Sequence, residues 1–196
     1  MVEEETGPTH FQRLAQVLSN LDDGAVVRFA NSLKVASDAS RVFVCGNGGS
    51  SAMCSHAAAD MAKALKYPGF LNCSFVCLTD SVPLLTAMAN DHSYDEVFVR
   101  AMKVNNFSYR DYLLVVSSSG NSQNVVSAVD YACSITEPTT NVFAFTGFDW
   151  DNRVNTMLRS ERSDENIFHV SSMEYGVVED VHAAAFHRVV ELVRSK

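Results

Sequence analysis

Positive charge is scarce in this chain: 15 lysines and arginines stand against 23 aspartates and glutamates, a formal net charge of -8 over 196 residues. That balance argues against the broad basic surface needed to hold nucleic acid or an anionic membrane, and neither is expected as a partner. Long apolar runs are missing as well. Nowhere do about 18 uninterrupted apolar residues suggest a membrane span, and the acidic start "MVEEETGPTH" lacks the basic region and apolar run of a secretory signal. A cytosolic location is therefore expected. The five cysteines, Cys45, Cys54, Cys73, Cys77 and Cys133, are odd in number and contain no C-x-x-C pair, so neither a disulfide framework nor a cysteine-rich metal site is signalled. They read as small buried apolar thiols. Only four prolines interrupt the chain, and no internal repeat or low-complexity tract is evident.

What is present is a substantial interior. With 47% hydrophobic and 19% charged residues, positions 1–196 fit one globular domain. Residues 9–38 carry apolar positions at helical spacing, Phe11, Leu14 and Leu18 on one face and Val26, Phe29, Leu33 and Val35 further on, which predicts two helices broken near "NLDDGA". From residue 41 the pattern changes. Five short apolar runs, "RVFVCG", "FVCLT", "DYLLVVSS", "NVFAFTG" and "NIFHVSS", alternate with segments of helical length. That order predicts an α/β fold in which a five-stranded parallel sheet is covered on both faces, a three-layer αβα sandwich. The last segment, from about Tyr175 to Val193, reads as one long helix with Val178, Val181, Phe186, Val189 and Val190 apolar.

Two strand ends carry unusual chemistry. In open parallel sheets ligands gather beyond the carboxyl ends of the strands, where loops lead into helix N-termini. The first strand is followed by "GNGGSS", in which glycines permit a tight turn and Asn47, Ser50 and Ser51 supply polar side chains. The third is followed by "SSSGNSQN", whose hydroxyls at Ser117, Ser118, Ser119 and Ser122 surround a glycine at an expected helix start. Amide N–H groups, the helix dipole and several hydroxyls make an anion site that needs no lysine or arginine. A dinucleotide fingerprint would need glycine where Ser51 stands, and the lysine of a P-loop is missing, so nucleotide binding is the weaker reading.

The helix after the first loop is rich in alanine, yet it holds His56 and Asp60 four residues apart. That spacing puts an imidazole and a carboxylate on one face, able to reach a common ligand past Ala57, Ala58 and Ala59; a plain surface pair has the same spacing. The C-terminal helix offers Glu179, His182 and His187 in "VVEDVHAAAFHRVV". Glu179 and His187 lie about 12 Å apart along an ideal helix, which permits joint ligation of one ion without requiring it, and His182 can instead pair with Glu179. Imidazoles and carboxylates together suit a divalent ion, zinc first, with manganese, iron or nickel acceptable, and a carboxylate beside a histidine is also a plausible acid/base pair.

These motifs, with "CGNGGS", "ANDHSYDEVF", "SSSGNS", "TGFD" and the final E-x-x-H-x-x-x-x-H in that order from about Val42 onward, resemble the sugar isomerase (SIS) fold and, within it, the phosphoheptose isomerases. The resemblance implies ketose–aldose isomerisation of sedoheptulose 7-phosphate to D-glycero-D-manno-heptose 7-phosphate through an enediol. It also implies one zinc ion per subunit and a homotetramer with sites at subunit interfaces, in which residues 1–40 serve oligomerisation. By position, Ser50, Ser117, Ser118, Ser119 and Ser122 match phosphate-binding residues, and Asn47, Gly48, Gly49, Asn90, Asp91 and Glu179 match positions near the sugar. His56, Asp60, Glu179 and His187 match zinc ligands, and Asp60 with His187 the acid/base pair. The chain departs from the pattern where Asp60 replaces glutamate, Glu179 replaces glutamine, Ala64 replaces arginine, and Gly176 and Val177 replace an Asp-Arg pair. The alternatives are a non-catalytic SIS protein that binds a phosphosugar or, like a replication-initiator-associating relative, a protein partner, and a regulatory phosphosugar sensor.

Overall fold

The structure, a computed structural model, describes residues 7–37, 39–64, 73–136, 141–161 and 163–195. Two helices come first, α1 (His10–Ser19) and α2 (Gly24–Val35). The start of α1 is set by a capping box in which the Thr9 hydroxyl accepts from Gln12 N–H and the Gln12 side chain accepts from Thr9 N–H. Of the apolar α1 face, Leu14 packs against the core while Phe11 is 79% exposed, because no described residue covers the outward side of this first helix.

The alternating part follows as β1 (Arg41–Gly46), α3 (Gly48–Ala64), β2 (Ser74–Cys77), α4 (Val82–Asp91), α5 (Val97–Val104), β3 (Tyr112–Ser117), α6 (Gln123–Ile135), β4 (Val142–Gly147), α7 (Arg153–Ser160), β5 (Ile167–Val170) and α8 (Tyr175–Arg194). All pairings are parallel, and the strand order is β2-β1-β3-β4-β5. The order reverses direction at β1, so the loops after β1 and β3 part from each other and open a crevice between them. The expected five-stranded α/β sandwich is the observed one.

Period-two alternation assigns the two faces of the sheet. Val42, Val44, Leu114, Val116, Phe143 and Phe145 meet α2, α3 and α8 on one side, where Phe29 lies 5.0 Å from Phe143 between ring centroids. Phe43, Cys45, Leu113, Val115 and Ala144 meet helices α4 to α7 on the other. With both faces buried, the strands read as continuous apolar runs in the sequence. Among the described residues no helix is long and apolar enough to cross a membrane.

The amino edge of the sheet is closed by charge. Asp111, fully buried, accepts from Arg41 N–H at 2.9 Å, from the Arg41 guanidinium at 2.7 Å, and from the backbone and hydroxyl of Ser108. Arg41 also donates to the carbonyls of Asn105 and Asn106. This cluster joins the starts of β1 and β3, at the edge opposite the two polar loops. Replacing Asp111 with alanine leaves those donors without their acceptor and is expected to lower the unfolding free energy in urea by about 3 kcal/mol. Ligand affinity at the far edge should be unchanged in the fraction that stays folded.

Candidate active site

The loops after β1 and β3 face each other across the crevice. Together they line a cavity of about 220 Å³ with Asn47, Gly48, Gly49, Ser50, Ser117, Ser118, Ser119 and Ser122, closed on one side by Tyr175 and Glu179 of α8. No lysine or arginine is among these lining residues. Its donors come from elsewhere: α3 begins at Gly48 and α6 at Gln123, so two helix N-termini open beside the hydroxyls. Ser122 is the N-cap of α6, yet its side chain makes no capping bond. Ser118 is buried, and its hydroxyl has no hydrogen-bond partner among the described residues. Buried hydroxyls are nearly always paired, so an unpaired one lining a cavity is free to donate to a ligand.

The shape of the second loop rests on one glycine. Gly120 has φ +61°, and a Cβ there would stand 2.0 Å from Oδ1 of Asn152. Asn152 is itself fixed as the N-cap of α7, accepting from Asn155 N–H. The first loop is held by Asn47, whose amide exchanges two 2.9 Å hydrogen bonds with Asn124 and accepts a third from the Tyr94 hydroxyl.

A second cluster lies along the facing sides of α3 and α8. His56 Nε2 is 3.1 Å from Asp60 Oδ2, the His56 and His187 rings are 5.6 Å apart, and one ligand atom from each of the three residues lies within 4.8 Å of the others. Lys63 approaches the second oxygen of Asp60 at 3.4 Å. Between them is a space of about 20 Å³ bounded by Met53, Ala57, Met61, Ala183 and Phe186, room for one ion or one water. Two imidazoles and a carboxylate around such a space fit a divalent cation of the zinc type. In the single chain the His56 side chain is 60% exposed.

The sequence-derived residues therefore fall into two groups. Asn47, Gly48, Gly49, Ser50, Ser117, Ser118, Ser119 and Ser122 share the cavity, and His56, Asp60 and His187 share the metal-type cluster. Glu179, expected in both, is placed with the first: its carboxylate rests on Gly49, where an added Cβ would stand 2.5 Å from Oε1. Two helical turns along α8 separate it from His187, about 12 Å of rise, and it is not among the ligand atoms that converge within 4.8 Å. Asn90 and Asp91 bond each other at the exposed end of α4 and do not line the cavity. His182 does not pair with Glu179; it is wholly buried, with Nε2 3.0 Å from the carbonyl of Thr146.

Tyr94, Asn124 and Tyr175 were not singled out from the sequence. Asn124 and Tyr94 sit inside "SSSGNSQN" and "ANDHSYDEVF", beside hydroxyls and acidic groups that carry the stronger local signal; Tyr175 carries no local signal at all. Burial pushes the Cys45 and Cys54 thiols far above the usual thiol range and that of Cys73 up to about 11, so these three are not thiolates near neutrality.

Comparison with known proteins identifies the family and the fold. The SIS domain family matches residues 11–147. The phosphoheptose isomerase of Colwellia psychrerythraea is 33% identical over 157 residues, covering 78% of this chain and 74% of the relative. That of Maridesulfovibrio salexigens is 28% identical over 194 residues, covering 96% and 83%. Among solved structures, phosphoheptose isomerase GmhA from Neisseria gonorrhoeae superposes with a TM-score of 0.77 at 27% identity over 94% of this chain and 95% of its own. A phosphoheptose isomerase from Francisella tularensis superposes at 0.74 and 23% identity over 95% and 93%, a likeness of fold.

Burial pushes His182 from the ordinary 6.5 down to about 4, partly countered by its bond to Thr146, and lowers His169 for the same reason. Between these values the unfolded chain binds protons that the folded chain refuses, so stability is complete above pH about 6.5 and falls as pH drops. For His182 the loss by pH 4 is on the order of 3 kcal/mol. Urea midpoints measured from pH 7 to 4 are expected to fall along this window, and to fall less steeply in His182→Gln.

Proposed function

The chain belongs to the SIS-domain family and, within it, to the phosphoheptose isomerases, and from that membership we propose that it is an aldose–ketose isomerase converting sedoheptulose 7-phosphate to D-glycero-D-manno-heptose 7-phosphate. The observation that carries the reading is the pairing, along α3 and α8, of a cation-free anion cavity containing the unpartnered Ser118 hydroxyl with an imidazole–carboxylate cluster. A ketose phosphate needs both: a hold on the phosphate that leaves the rest of the sugar free, and groups able to move protons between adjacent carbons.

In this reading Ser118, Ser119 and Ser122, with N–H groups at the starts of α3 and α6, hold the phosphate by neutral donors and helix dipoles. Asn47, fixed by Asn124 and Tyr94, presents its amide to the sugar hydroxyls. Asp60 and His187 exchange protons at C1 and C2, passing through an enediol. Each has a second atom, the other carboxylate oxygen or ring nitrogen, with which to face an ion. A zinc ion held by His56, Asp60 and His187, one per subunit, would supply a Lewis acid that stabilises negative charge developing on the substrate oxygens. Positioned acid/base groups contribute about 10²–10⁴-fold each.

The same reading places the complete site between copies of the chain in a tetramer. Within one subunit the cluster is open to water and stands two helical turns from the cavity side of α8, so one copy's cluster would act on a sugar whose phosphate lies in its neighbour's loops. The exposed Phe11 on α1 supports a packing face in the N-terminal segment.

A coupled assay on C5 to C7 ketose and aldose phosphates, with and without zinc, is the test. His187→Ala and Asp60→Asn are each expected to lower kcat at least about 100-fold with the fold intact. The double variant Ser118→Ala, Ser122→Ala is expected to raise KM about 100-fold or more, since each lost donor to a charged group is worth about 1.5–3 kcal/mol. At substrate well below the raised KM, mixing His187→Ala subunits with Ser118→Ala, Ser122→Ala subunits should restore part of the activity if sites are shared. Near-normal turnover in both His187→Ala and Asp60→Asn would sink the acid/base pair. Phosphosugar binding with no turnover of any sugar would favour a binding-only protein.

A further inference from the structure

One buried histidine and one motif remain outside this account: His182, and the "TGFD" that ends β4. We propose that the hydrogen bond from His182 to the Thr146 carbonyl is the positioning element for α8, fixing the roll and axial slide of the helix so that Glu179 lies on Gly49 while His187 meets His56 and Asp60. The inference rests on the isomerase reading for its kinetic consequence and on the geometry alone for its structural one.

His182 has no exposed surface, and its ring is surrounded by Phe145 and Phe168, with centroids 5.9 and 6.2 Å away. Its Nε2 is 3.0 Å from the Thr146 carbonyl oxygen. A carbonyl only accepts, so the neutral ring carries its proton on Nε2 and donates it. That leaves Nδ1 as a buried acceptor with no partner, a cost a phenylalanine or leucine in the same space would avoid. Packing alone therefore gives no reason for an imidazole here; the directional bond does.

The need for direction follows from the rest of the helix. Val177, Val178, Val181, Ala185, Phe186 and Val189 bury apolar surface, which holds α8 against the sheet but is indifferent to small rolls and slides. Ion pairs from Asp180 to His10 and from Arg188 to Asp23 lie at the exposed surface, where such pairs contribute little. At 100° per residue, Glu179 projects about 60° from His182 around the helix and His187 about 140°, in the same sense. Functional atoms stand about 5–6 Å from the axis, so a roll of about 10° moves both by about 1 Å in the same rotational sense, enough to cost about 100-fold in rate. Thr146 is a fitting anchor: its hydroxyl bonds Asn155 Oδ1 at 2.9 Å and His169 Nδ1 at 3.1 Å, and Asn155 is capped by Asn152, the residue behind Gly120. The bond thus ties α8 to the framework that also shapes the serine loop.

The test compares His182→Phe, which keeps ring volume and loses the donor, with His182→Gln, whose amide nitrogen can reach the place of Nε2. Both are measured for kcat and KM on sedoheptulose 7-phosphate, and their metal-free crystal structures are compared with that of the parent. His182→Phe is expected to lose about 10-fold or more in kcat with a smaller change in KM, and to show His187 drawn away from His56 and Asp60. His182→Gln is expected to keep kcat within about threefold and the parental helix position. Parental kcat and helix position in His182→Phe, or equal damage in both variants, would overturn the proposal. Should His182→Phe fail to fold, a displaced α8 in His182→Gln overturns it and a parental one upholds it. If the parent turns over no phosphosugar, the isomerase reading fails, and the crystal structures alone decide the positioning role.

Discussion

The close approach of α3 to α8 is the constraint on which the candidate site depends. Both helices lie on the same face of the sheet, and where they face each other an alanine from each, Ala57 on α3 and Ala183 on α8, borders the space between the two histidines beside the larger Met53, Met61 and Phe186. The distance between packed helices is set by the side chains at the contact. With alanines there, His56, Asp60 and His187 come within 4.8 Å of one another, and two turns away the Glu179 carboxylate reaches the Gly49 backbone. Bulkier residues at these positions would part the helices and with them both halves of the site.

The anion cavity follows a different logic, suited to an acidic chain. Positive charge is short in this protein and absent from the cavity lining among the described residues, so the donors are structural: two helix N-termini opened by the sheet's reversal at β1, and serine hydroxyls, of which Ser118 is left unpartnered. Such donors are held in place by backbone geometry, as Gly120 against Asn152 illustrates, and cost little to reorganise when a ligand arrives. The Glu179 carboxylate lines the side of the cavity at Gly49, across from the serine loop.

Much of this was legible because it is local. Strands buried on both faces announce themselves as apolar runs, turns as glycines and serines, and the His56–Asp60 face as an i,i+4 spacing; each survives in the structure because tertiary packing agrees with it. What escaped depends on long-range placement. Asn47 meets Asn124 and Tyr94 across 77 and 47 residues of sequence, and no periodicity encodes that. Glu179, His182 and His187 share one helix, but their separate destinations follow from how α8 is rolled against β4, a quantity set by Thr146 and the surrounding aromatic rings. Phe11 fits an amphipathic pattern and yet stands exposed, because pattern alone does not say whether the covering surface belongs to the same chain. Asn90 and Asp91 belong to a matching motif, yet at the end of α4 they bond each other and do not line the cavity.

The central claim, that one ketose phosphate is held by the serine loops while Asp60 and His187 move its protons, is tested most directly by following sedoheptulose 7-phosphate with the protein in D₂O by NMR. The account predicts an aldose 7-phosphate carrying solvent deuterium at C2, at least in part, because the proton passes through groups that exchange with water. Formation of the aldose with complete retention of the transferred hydrogen, or no aldose at all with zinc supplied, would contradict it.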